Sequence, residues 1–351
     1  MKISRRTMIA GLGGTAILGS ASFAAGDAAS PLAAAMTGPY PLKGIVAGLC
    51  DARGQRIVIQ GEADNGGALD GDTVFDIGSL TKLFTALALA DMVVRGQMAM
   101  DDPLGRYLPA VVPDFNGKPI TLRDVATYSP GLPGWPADMP PLGKTFPDYP
   151  VERLYRALSA TKLDAAPGTR YVYSNFGYGL LGLALARRAG TDFETLIVSR
   201  ICKPLGMEST RIKMSPDMQA HVSPGHDRKL AKIAGWNMQE AFAGAGAFRS
   251  TANDLLKFLT GALKPSPLAA AFTEMMRTER PSDEADTKVA AGWFISRGHG
   301  DRLVWKDGGV LGYSSFLGYS AVKKNGIVLL ANGNFDSPKW GKHLLNGGFP
   351  L

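Results

Sequence analysis

The chain has 351 residues, 45% of them hydrophobic and 20% charged, a composition that indicates a globular protein and excludes an intrinsically disordered one. The formal net charge is +7, and removing the three N-terminal charges of Lys2, Arg5 and Arg6 leaves +4. The other basic residues are interspersed with acids, so no basic run indicates a nucleic-acid partner.

The first 25 residues have the features of an export signal. Two arginines, Arg5 and Arg6, precede a moderately apolar, glycine-rich stretch at residues 9–18. This arrangement is typical of a twin-arginine signal, and the stretch is too short to favour the alternative of a membrane anchor. The sequence therefore predicts export by the twin-arginine machinery, a periplasmic location, and a mature chain of residues 26–351 with no stable membrane span.

Further along the chain, β-rich runs come first, helices follow, and β-rich runs return at the end. Residues 44–50 and 56–61 flank a turn and predict a hairpin. Residues 79–94 and 176–189 are apolar, and a glycine follows each of them as at helix ends. A capping box at Thr121 opens another helix. Near the C-terminus, four runs predict two more hairpins: residues 293–297, 302–306, 313–322 and 327–331.

Strands at both ends and helices between them predict a mixed α/β (α+β) fold. One antiparallel sheet combines both termini, and a mainly helical lobe is inserted into it. Within a single catalytic domain, we place the α/β lobe at about residues 40–80 and 285–351 and the helical lobe at about 81–284. A small-molecule site is expected in the cleft between the lobes, and residues 130–150, rich in Pro and Gly, predict a long loop over it.

A serine followed three residues later by a lysine marks the start of the first long predicted helix. Ser79 and Lys82 then share one helical face, and free N–H groups at the helix N-terminus can hold a developing oxyanion. A serine hydroxyl needs a base, which a buried, partly neutral lysine can supply. Ser320 and Lys323 have the same spacing, but they lie in a predicted strand, where i and i+3 face opposite ways.

A second motif combines Tyr173 and Asn175 in a loop just before the helix predicted at residues 176–189. A phenol near a lysine ammonium loses its proton more easily and can act as a general base. An asparagine amide can bind a substrate carbonyl or hold the lysine. Taken alone, the motif also fits an ordinary turn in which the tyrosine packs and the asparagine caps.

A third motif begins with Lys306 at the end of a predicted strand. The lysine can bind a substrate carboxylate, and we include Asp307 and Gly308 in the same substrate-binding set. Glycines let a ligand lie against the strand edge, where the N–H of Gly309 is a second oxyanion donor. The alternative is a plain Asp-Gly-Gly turn.

These three motifs, in this order, resemble the class C β-lactamase family in the broad sense that includes penicillin-binding proteins, D-alanyl-D-alanine carboxypeptidases and related esterases. The resemblance extends to segments at residues 122–133, 167–169, 203–207 and 244–254. It implies a β-lactamase/transpeptidase-like fold and a serine hydrolase that works through an acyl-enzyme. No cofactor and no metal are expected.

The resemblance also implies a role for each matched residue. Ser79 would be acylated, and Lys82 would assist removal of its proton. Tyr173 would act as the base in acylation and help to activate water in deacylation. Asn175 would contact the substrate amide, and Lys306 would steer the substrate carboxylate. The N–H groups of Ser79 and Gly309 would form the oxyanion hole.

Two departures from the family pattern affect the expected substrate. Asp307 stands where β-lactamases usually carry threonine or serine, so a negative charge replaces a hydroxyl donor for the substrate carboxylate. Gly134 and Trp135 stand where penicillin-hydrolysing members carry a polar amide. Both departures leave the acylating residues intact, but they argue against efficient β-lactam turnover.

The first expected function is β-lactam hydrolysis of the class C type. The alternatives are a D-alanyl-D-alanine carboxypeptidase/endopeptidase acting on peptidoglycan peptides, a short-chain carboxylesterase, and a penicillin-binding sensor that does not turn over. A Ser-His-Asp hydrolase is disfavoured because the chain has no Gly-x-Ser-x-Gly motif. A metal enzyme is disfavoured because the four histidines lack ligand spacing.

The two cysteines, Cys50 and Cys202, form no Cys-x-x-Cys motif, so nothing supports a redox or zinc-knuckle site. In an oxidising compartment they could pair. Because each lies in an apolar or helix-like stretch, two buried thiols are the favoured interpretation.

Overall fold

The computed structural model describes residue 34 and residues 42–348, apart from residues 239 and 299. The predicted export signal lies outside these described residues. Within them, no helix combines the length and the apolar character that a membrane crossing requires.

An eight-stranded antiparallel sheet joins the two ends of the chain. In spatial order its strands are β2 (Gly54–Gly61), β1 (Gly44–Asp51), β14 (Gly326–Ala331), β13 (Tyr313–Ser320), β12 (Asp301–Val310), β11 (Phe294–Gly298), β10 (Thr287–Val289) and β9 (Arg280–Pro281). Strand β1 pairs with β14, with Ala47 opposite Leu329. This pairing confirms the predicted sheet built from both termini.

Short two-stranded ribbons and helices fill the sequence between β2 and β9. The ribbons pair β3 (Phe75–Asp76) with β8 (Arg249–Ser250), β4 (Asp114–Phe115) with β5 (Lys118–Pro119), and β6 (Gly225–His226) with β7 (Lys232–Ile233). The α-helices are α1 (Thr81–Val94), α2 (Leu122–Ala126), α3 (Val151–Ala160), α4 (Asn175–Ala189), α5 (Phe193–Ile197), α6 (Lys203–Leu205), α7 (Pro216–Ala220), α8 (Ala243–Gly246), α9 (Ala252–Leu263) and α10 (Ala269–Met275), with α11 (Ser337–His343) after the last strand. Single 3₁₀ or π turns occur at Gly78–Leu80, Leu104–Arg106, Val198–Cys202, Glu240–Phe242 and Leu344–Gly348.

Helix α1 lies at the centre of the hydrophobic core. Its side chains are buried from Thr81 to Met92, on every face of the helix, as expected for a helix that is apolar all round. The helix ends at Val94 with Arg95 as its C-cap, and Gly96 follows with a φ of 68°. That left-handed conformation suits glycine, as the sequence predicted.

Helix α4 packs beside α1 and ends at the predicted glycine, Gly190, which has a φ of 70°. Its N-cap is Ser174, whose hydroxyl accepts a hydrogen bond from the N–H of Gly177 at 2.9 Å, and not Asn175, the capping residue in the alternative interpretation of the second motif. The predicted capping box at Thr121 is likewise present, with Asp124 as its second member. Side-chain acceptors at these N-termini satisfy N–H groups that the helices leave unpaired.

Strand β12 is longer than the sequence predicted. The prediction ended this strand at Lys306, because the glycines that follow disfavour strands. In the structure β12 continues to Val310 because its pairing with β13 extends to the pair of Val310 and Tyr313. Pairing with β11 stops at Trp305. Residues 306–310 therefore form a strand with one edge that β11 leaves uncovered.

Both cysteines are free and buried, which confirms the favoured interpretation. Burial raises the pKa of Cys50 to about 11 and that of Cys202 to about 12. These thiols are therefore protonated at neutral pH and are poor nucleophiles.

Candidate active site

Ser79 lies in the 3₁₀ turn Gly78–Leu80, which leads directly into α1. The turn rests against β12: an added Cβ on Gly78, whose φ is 50°, would come within 2.9 Å of the Gly309 carbonyl oxygen and 3.0 Å of its nitrogen. Ser315 of β13 ties the same turn down by donating its hydroxyl to the Ile77 carbonyl at 2.8 Å. The start of the helix is thus fixed against the open edge of the sheet.

Lys82 follows Ser79 by one helical turn and is fully buried. Its Nζ donates hydrogen bonds to Ser79 Oγ at 3.0 Å, to Asn175 Oδ1 at 2.7 Å and to the Ala245 carbonyl at 2.7 Å. Three acceptors match the three donors of an ammonium group. The lysine therefore has one fixed position, with its nitrogen on the serine hydroxyl.

Tyr173 lies between two lysines. Lys82 Nζ is 4.8 Å from the centre of its ring, and Lys306 Nζ is 5.0 Å from the same point. The other neighbour of the ring is Tyr128, which stacks on it with a centroid separation of 5.2 Å and an interplanar angle of 15°. Tyr128 in turn donates its hydroxyl to the Gly292 carbonyl at 3.0 Å, which fixes the stack.

The pKa values of the central pair move towards each other. Burial lowers the pKa of Lys82 to about 8, helped by the charge of Lys306 and opposed by Tyr173. Burial alone would raise the pKa of Tyr173, but the charges of Lys306 and Lys82 outweigh it and lower that pKa. A group with a pKa near the working pH can take up and release a proton easily, which is what a general base requires.

Lys306 is also buried, and its charge is paired within its own strand. Its Nζ donates to the Asp307 carbonyl oxygen at 2.8 Å and to Asp307 Oδ1 at 3.1 Å. Burial would lower the pKa of Lys306, but the negative charge of Asp307, with a contribution from Tyr173, raises it overall. The sequence predicted a cation for a substrate carboxylate; the structure shows that this cation already has a carboxylate partner.

The glycines of the third motif allow close approach between β12 and the serine turn. An added Cβ on Gly308 would lie 2.3 Å from the Ile77 carbonyl oxygen and 2.4 Å from Ser315 Oγ. Gly309 is exposed and has open space on its Cβ side. Since Gly309 adjoins the turn that holds Ser79, their N–H groups can converge on one oxygen, as an oxyanion hole requires.

The second Ser-x-x-Lys pair is not assembled in this way. Ser320 is buried at the end of β13 and donates its hydroxyl to Asp301, while Lys323 is exposed. This outcome confirms that the spacing alone does not make a catalytic pair.

Residues 130–150 form the long irregular segment that the sequence predicted. The segment is anchored beside the second motif, because the Gly134 carbonyl accepts the N–H of Phe176 at 3.1 Å. Trp135 packs edge-on against Phe242 with ring centroids 5.1 Å apart. The aromatic side chains therefore hold this segment next to the start of α4.

Two contributors to the site were missed at the sequence level. Ala245 supplies a backbone carbonyl to Lys82, and a carbonyl leaves no signal in the side-chain pattern. Tyr128 stacks on Tyr173 from another segment. Both positions fall within stretches that matched the family pattern, which was the available signal.

The described residues contain no group of three His, Cys, Asp or Glu side chains that could hold a metal ion. Of the histidines, His226 is buried between the Asn332 carbonyl and Asp64, with both contacts at 2.8 Å. His299 lies outside the described residues. His221 and His343 lie at or near the ends of short helices.

We expect the acylation rate constant to rise with pH and to level off near the Lys82 pKa of about 8. Below that pH the buried pair of Lys82 and Tyr173 holds one proton too many to accept another from Ser79. The titration belongs to the pair as a whole rather than to either residue. Stopped-flow acylation across a pH series measures it, and a rate constant that does not change across this range would contradict the expectation.

Gly308→Ala is expected to lower the free energy of unfolding by about 1–3 kcal/mol, as overpacking in a tight interior does. Its Cβ would collide with the Ile77 carbonyl. Gly309→Ala is the matched control, because the nearest atom to its Cβ is 4.0 Å away. Denaturant unfolding of both variants measures the difference, and equal stabilities would refute the tight contact between β12 and the serine turn.

Comparison with known proteins agrees with this geometry. Residues 42–345 match the family described as Beta-lactamase. The Escherichia coli K12 protein named D-alanyl-D-alanine-carboxypeptidase/endopeptidase AmpH is 36% identical over 194 residues, which are 54% of this chain and 48% of AmpH. The match thus spans about half the length of that relative. A protein of the same strain named Beta-lactamase is 26% identical over 302 residues, covering 76% of this chain and 77% of that protein.

Solved structures show the same fold. A class C beta-lactamase from Rhodobacter sphaeroides superposes with a TM-score of 0.77 at 22% identity, covering 90% of this chain and 97% of the other. This likeness confirms the predicted β-lactamase/transpeptidase-like architecture. Since the family match extends over most of the sequence, the chain belongs to the beta-lactamase family.

Proposed function

We propose that this protein is an exported serine hydrolase that cleaves β-lactams through an acyl-enzyme on Ser79. One observation carries the proposal: the hydroxyl of Ser79 lies 3.0 Å from the nitrogen of buried Lys82, whose pKa is lowered to about 8. A serine is activated when a group that can accept its proton is held at hydrogen-bond distance.

In the proposed acylation, Ser79 Oγ attacks the carbonyl carbon and its proton passes to the Lys82–Tyr173 pair. A bond forms between Oγ and the carbonyl carbon, the carbon–nitrogen bond breaks, and the nitrogen takes the proton. In deacylation the same pair removes a proton from water, which attacks the ester and releases Ser79. The N–H groups of Ser79 and Gly309 stabilise the oxyanion in both steps.

Substrate contacts are proposed for the side chains around this centre. The Asn175 amide holds Lys82 through its oxygen, so its nitrogen remains to contact the substrate amide. The open edge of β12 at residues 306–309 can pair with an extended substrate backbone. Lys306 and Asp307 lie along that edge. Gly308 follows them and packs closely against the serine turn, and Gly309 of the oxyanion hole comes next.

The second candidate is a D-alanyl-D-alanine carboxypeptidase/endopeptidase, which the name of the 36% identical relative favours. A β-lactam and a peptide ending in D-Ala-D-Ala need the same nucleophile, base and oxyanion hole. The two functions differ in deacylation: a β-lactamase releases the β-lactam acyl group rapidly, whereas a peptidase keeps it bound. A short-chain esterase and a non-turnover sensor are the remaining alternatives.

We also propose the cellular setting from the sequence. The arginine pair in the first 25 residues would direct the chain to the twin-arginine machinery, leaving residues 26–351 as one periplasmic catalytic domain. Replacing both Arg5 and Arg6 with lysine should retain the protein in the cytoplasm. Cell fractionation measures this, and unchanged export would contradict it.

The experiment that tests the activity mixes the purified mature protein with a chromogenic cephalosporin and follows absorbance. Ser79→Ala is the test variant, and Ser320→Ala is the matched control with the same motif spacing. Multiple turnovers that are lost only in Ser79→Ala would support β-lactam hydrolysis. A single slow turnover, together with hydrolysis of a D-Ala-D-Ala peptide, would replace it with the peptidase. Full activity in Ser79→Ala would contradict both.

A further inference from the structure

A negative charge occupies the open edge of β12 beside the proposed acylation centre. The Asp307 side chain is 37% exposed, whereas the Lys306 side chain is only 1% exposed. The two form an ion pair with an Nζ–Oδ1 distance of 3.1 Å. A ligand that approaches this edge therefore meets the carboxylate of Asp307, because the ammonium of Lys306 lies behind it.

The side chain of Asp307 points to the same side of the strand as the open side of Gly309. Alternate residues of a strand share a face, and two residues span about 6.6 Å along the strand. Gly309 contributes to the proposed oxyanion hole. A Cβ added to Gly309 would have its nearest neighbouring atom 4.0 Å away, so this side of the residue is open. Along the strand, Asp307 is therefore about two residues of an extended substrate away from the proposed oxyanion hole.

In the described part of the chain, the ion-pair partner of Asp307 is the buried Lys306. The negative charge of Asp307 also acts on Tyr171: together with Asp283 and Glu284 it adds to burial in raising the pKa of Tyr171. Asp283 and Glu284 are both exposed. The electrostatic surroundings of Tyr171 thus include three carboxylates, one of them that of Asp307.

We propose that Asp307 makes the enzyme favour acyl donors with a neutral or cationic leaving group, so that β-lactams and D-Ala-D-Ala peptides with a leaving-group carboxylate are cleaved more slowly than counterparts without it. This inference rests on the proposed acyl-enzyme chemistry at Ser79. A leaving-group carboxylate would lie against Asp307 in a partly buried site, where repulsion between like charges is screened less than in water. Esters and amidated peptides avoid that repulsion, and a cationic leaving group turns it into attraction.

The covalent step is the same for every donor. The bond from Ser79 Oγ to the acyl carbon forms, the bond from that carbon to the leaving atom breaks (nitrogen in an amide, oxygen in an ester), and the leaving atom gains the proton that Ser79 loses. Water then cleaves the ester and restores Ser79. Only the charge of the leaving amine differs, so the rate ratio between donors reports directly on Asp307.

The test uses one N-acylated peptide ending in D-Ala-D-Ala in three forms: the free acid, the carboxamide and the 2-aminoethyl amide. Their leaving groups differ at that end by charges of about −1, 0 and +1 at neutral pH. We expect wild-type kcat/KM to increase in this order, by on the order of tenfold from acid to amide. Asp307→Asn, which keeps the shape and removes the charge, should bring the three values to within about threefold of one another.

Asp51→Asn is the matched control. Asp51 lies in β1, three strands away from β12, or about 14 Å, which exceeds the screening length at physiological salt. Its ratios should match those of the wild type. A wild-type preference for the free acid, or ratios unchanged in Asp307→Asn, would overturn the selection by Asp307 while leaving acylation intact. Hydrolysis of a chromogenic cephalosporin with no hydrolysis of any of the three peptides would overturn this inference alone. Absence of reaction at Ser79 with the cephalosporin and with all three peptides would overturn the proposed function itself, and this inference with it.

Discussion

Replacing Lys82 with methionine is expected to lower kcat/KM by on the order of a thousandfold for every donor that the wild type hydrolyses, because the serine loses the partner that accepts its proton. Methionine keeps the length of the side chain but cannot bond to Ser79 Oγ, which Lys82 contacts at 3.0 Å. The rate of acylation should fall, whereas binding of the substrate in its ground state should change little. We therefore expect kcat to fall by a larger factor than KM rises.

The same substitution is expected to leave the protein folded. Removing a buried ammonium relieves its desolvation, although Asn175 Oδ1 and the Ala245 carbonyl lose a donor. Lys323→Met is the matched control, since Lys323 has the same spacing from a serine but is exposed; it should retain full activity. Thermal unfolding and steady-state kinetics measure both variants. A Lys82→Met protein that retains more than about a tenth of the activity would show that Lys82 does not handle the proton.

Tyr173→Phe is expected to reduce kcat/KM by about 10²–10³-fold, the range that general acid–base groups contribute. The substitution removes only the hydroxyl, so the ring can still stack on Tyr128. The loss should therefore come from proton transfer and not from collapse of the site. Because the Tyr173 charge opposes the lowering of the Lys82 pKa, its removal should also shift the rising limb of the pH profile to lower pH.

Tyr171→Phe is the control for this variant, because it also removes a tyrosine hydroxyl, two residues before Tyr173. In the described contacts, the Tyr171 ring touches neither Lys82 nor Lys306. It should stay within about threefold of the wild type in kcat/KM. Kinetics on both variants between about pH 6 and 9 supply the measurement. A Tyr173→Phe enzyme with normal activity and an unchanged profile would assign the proton transfer to Lys82 alone.

Much of this arrangement could be predicted because it is encoded locally. The serine and lysine of the first motif share a helix, and the helix follows from its apolar content and from Gly96. The apolar helix predicted at residues 176–189 likewise placed Tyr173 and Asn175 next to its start, where α4 begins at Asn175. The sequence also set the second serine–lysine pair apart from the first, although for a different reason than the structure shows: Ser320 ends β13, and Lys323 lies exposed in the turn that follows instead of in the strand.

What the sequence could not predict depends on contacts between distant segments. Strand β12 continues through two glycines because β13 pairs with it, which overrides the low strand propensity of glycine. The burial of Lys306 behind Asp307 depends on which face of β12 meets the aromatic rings, and the free edge depends on where β11 stops. The sequence could name Asp307 as an added negative charge, but its pairing with buried Lys306 and the point at which β11 leaves the edge open were visible only in the folded chain.

Every proposed step requires that Ser79 become covalently acylated. Intact-mass measurement after incubation with a slowly released β-lactam, followed by peptide mapping, detects that acylation. We expect one added β-lactam mass per chain, located on Ser79, absent in Ser79→Ala and present in Ser320→Ala. An adduct on any other residue, or an adduct that persists in Ser79→Ala, would contradict it.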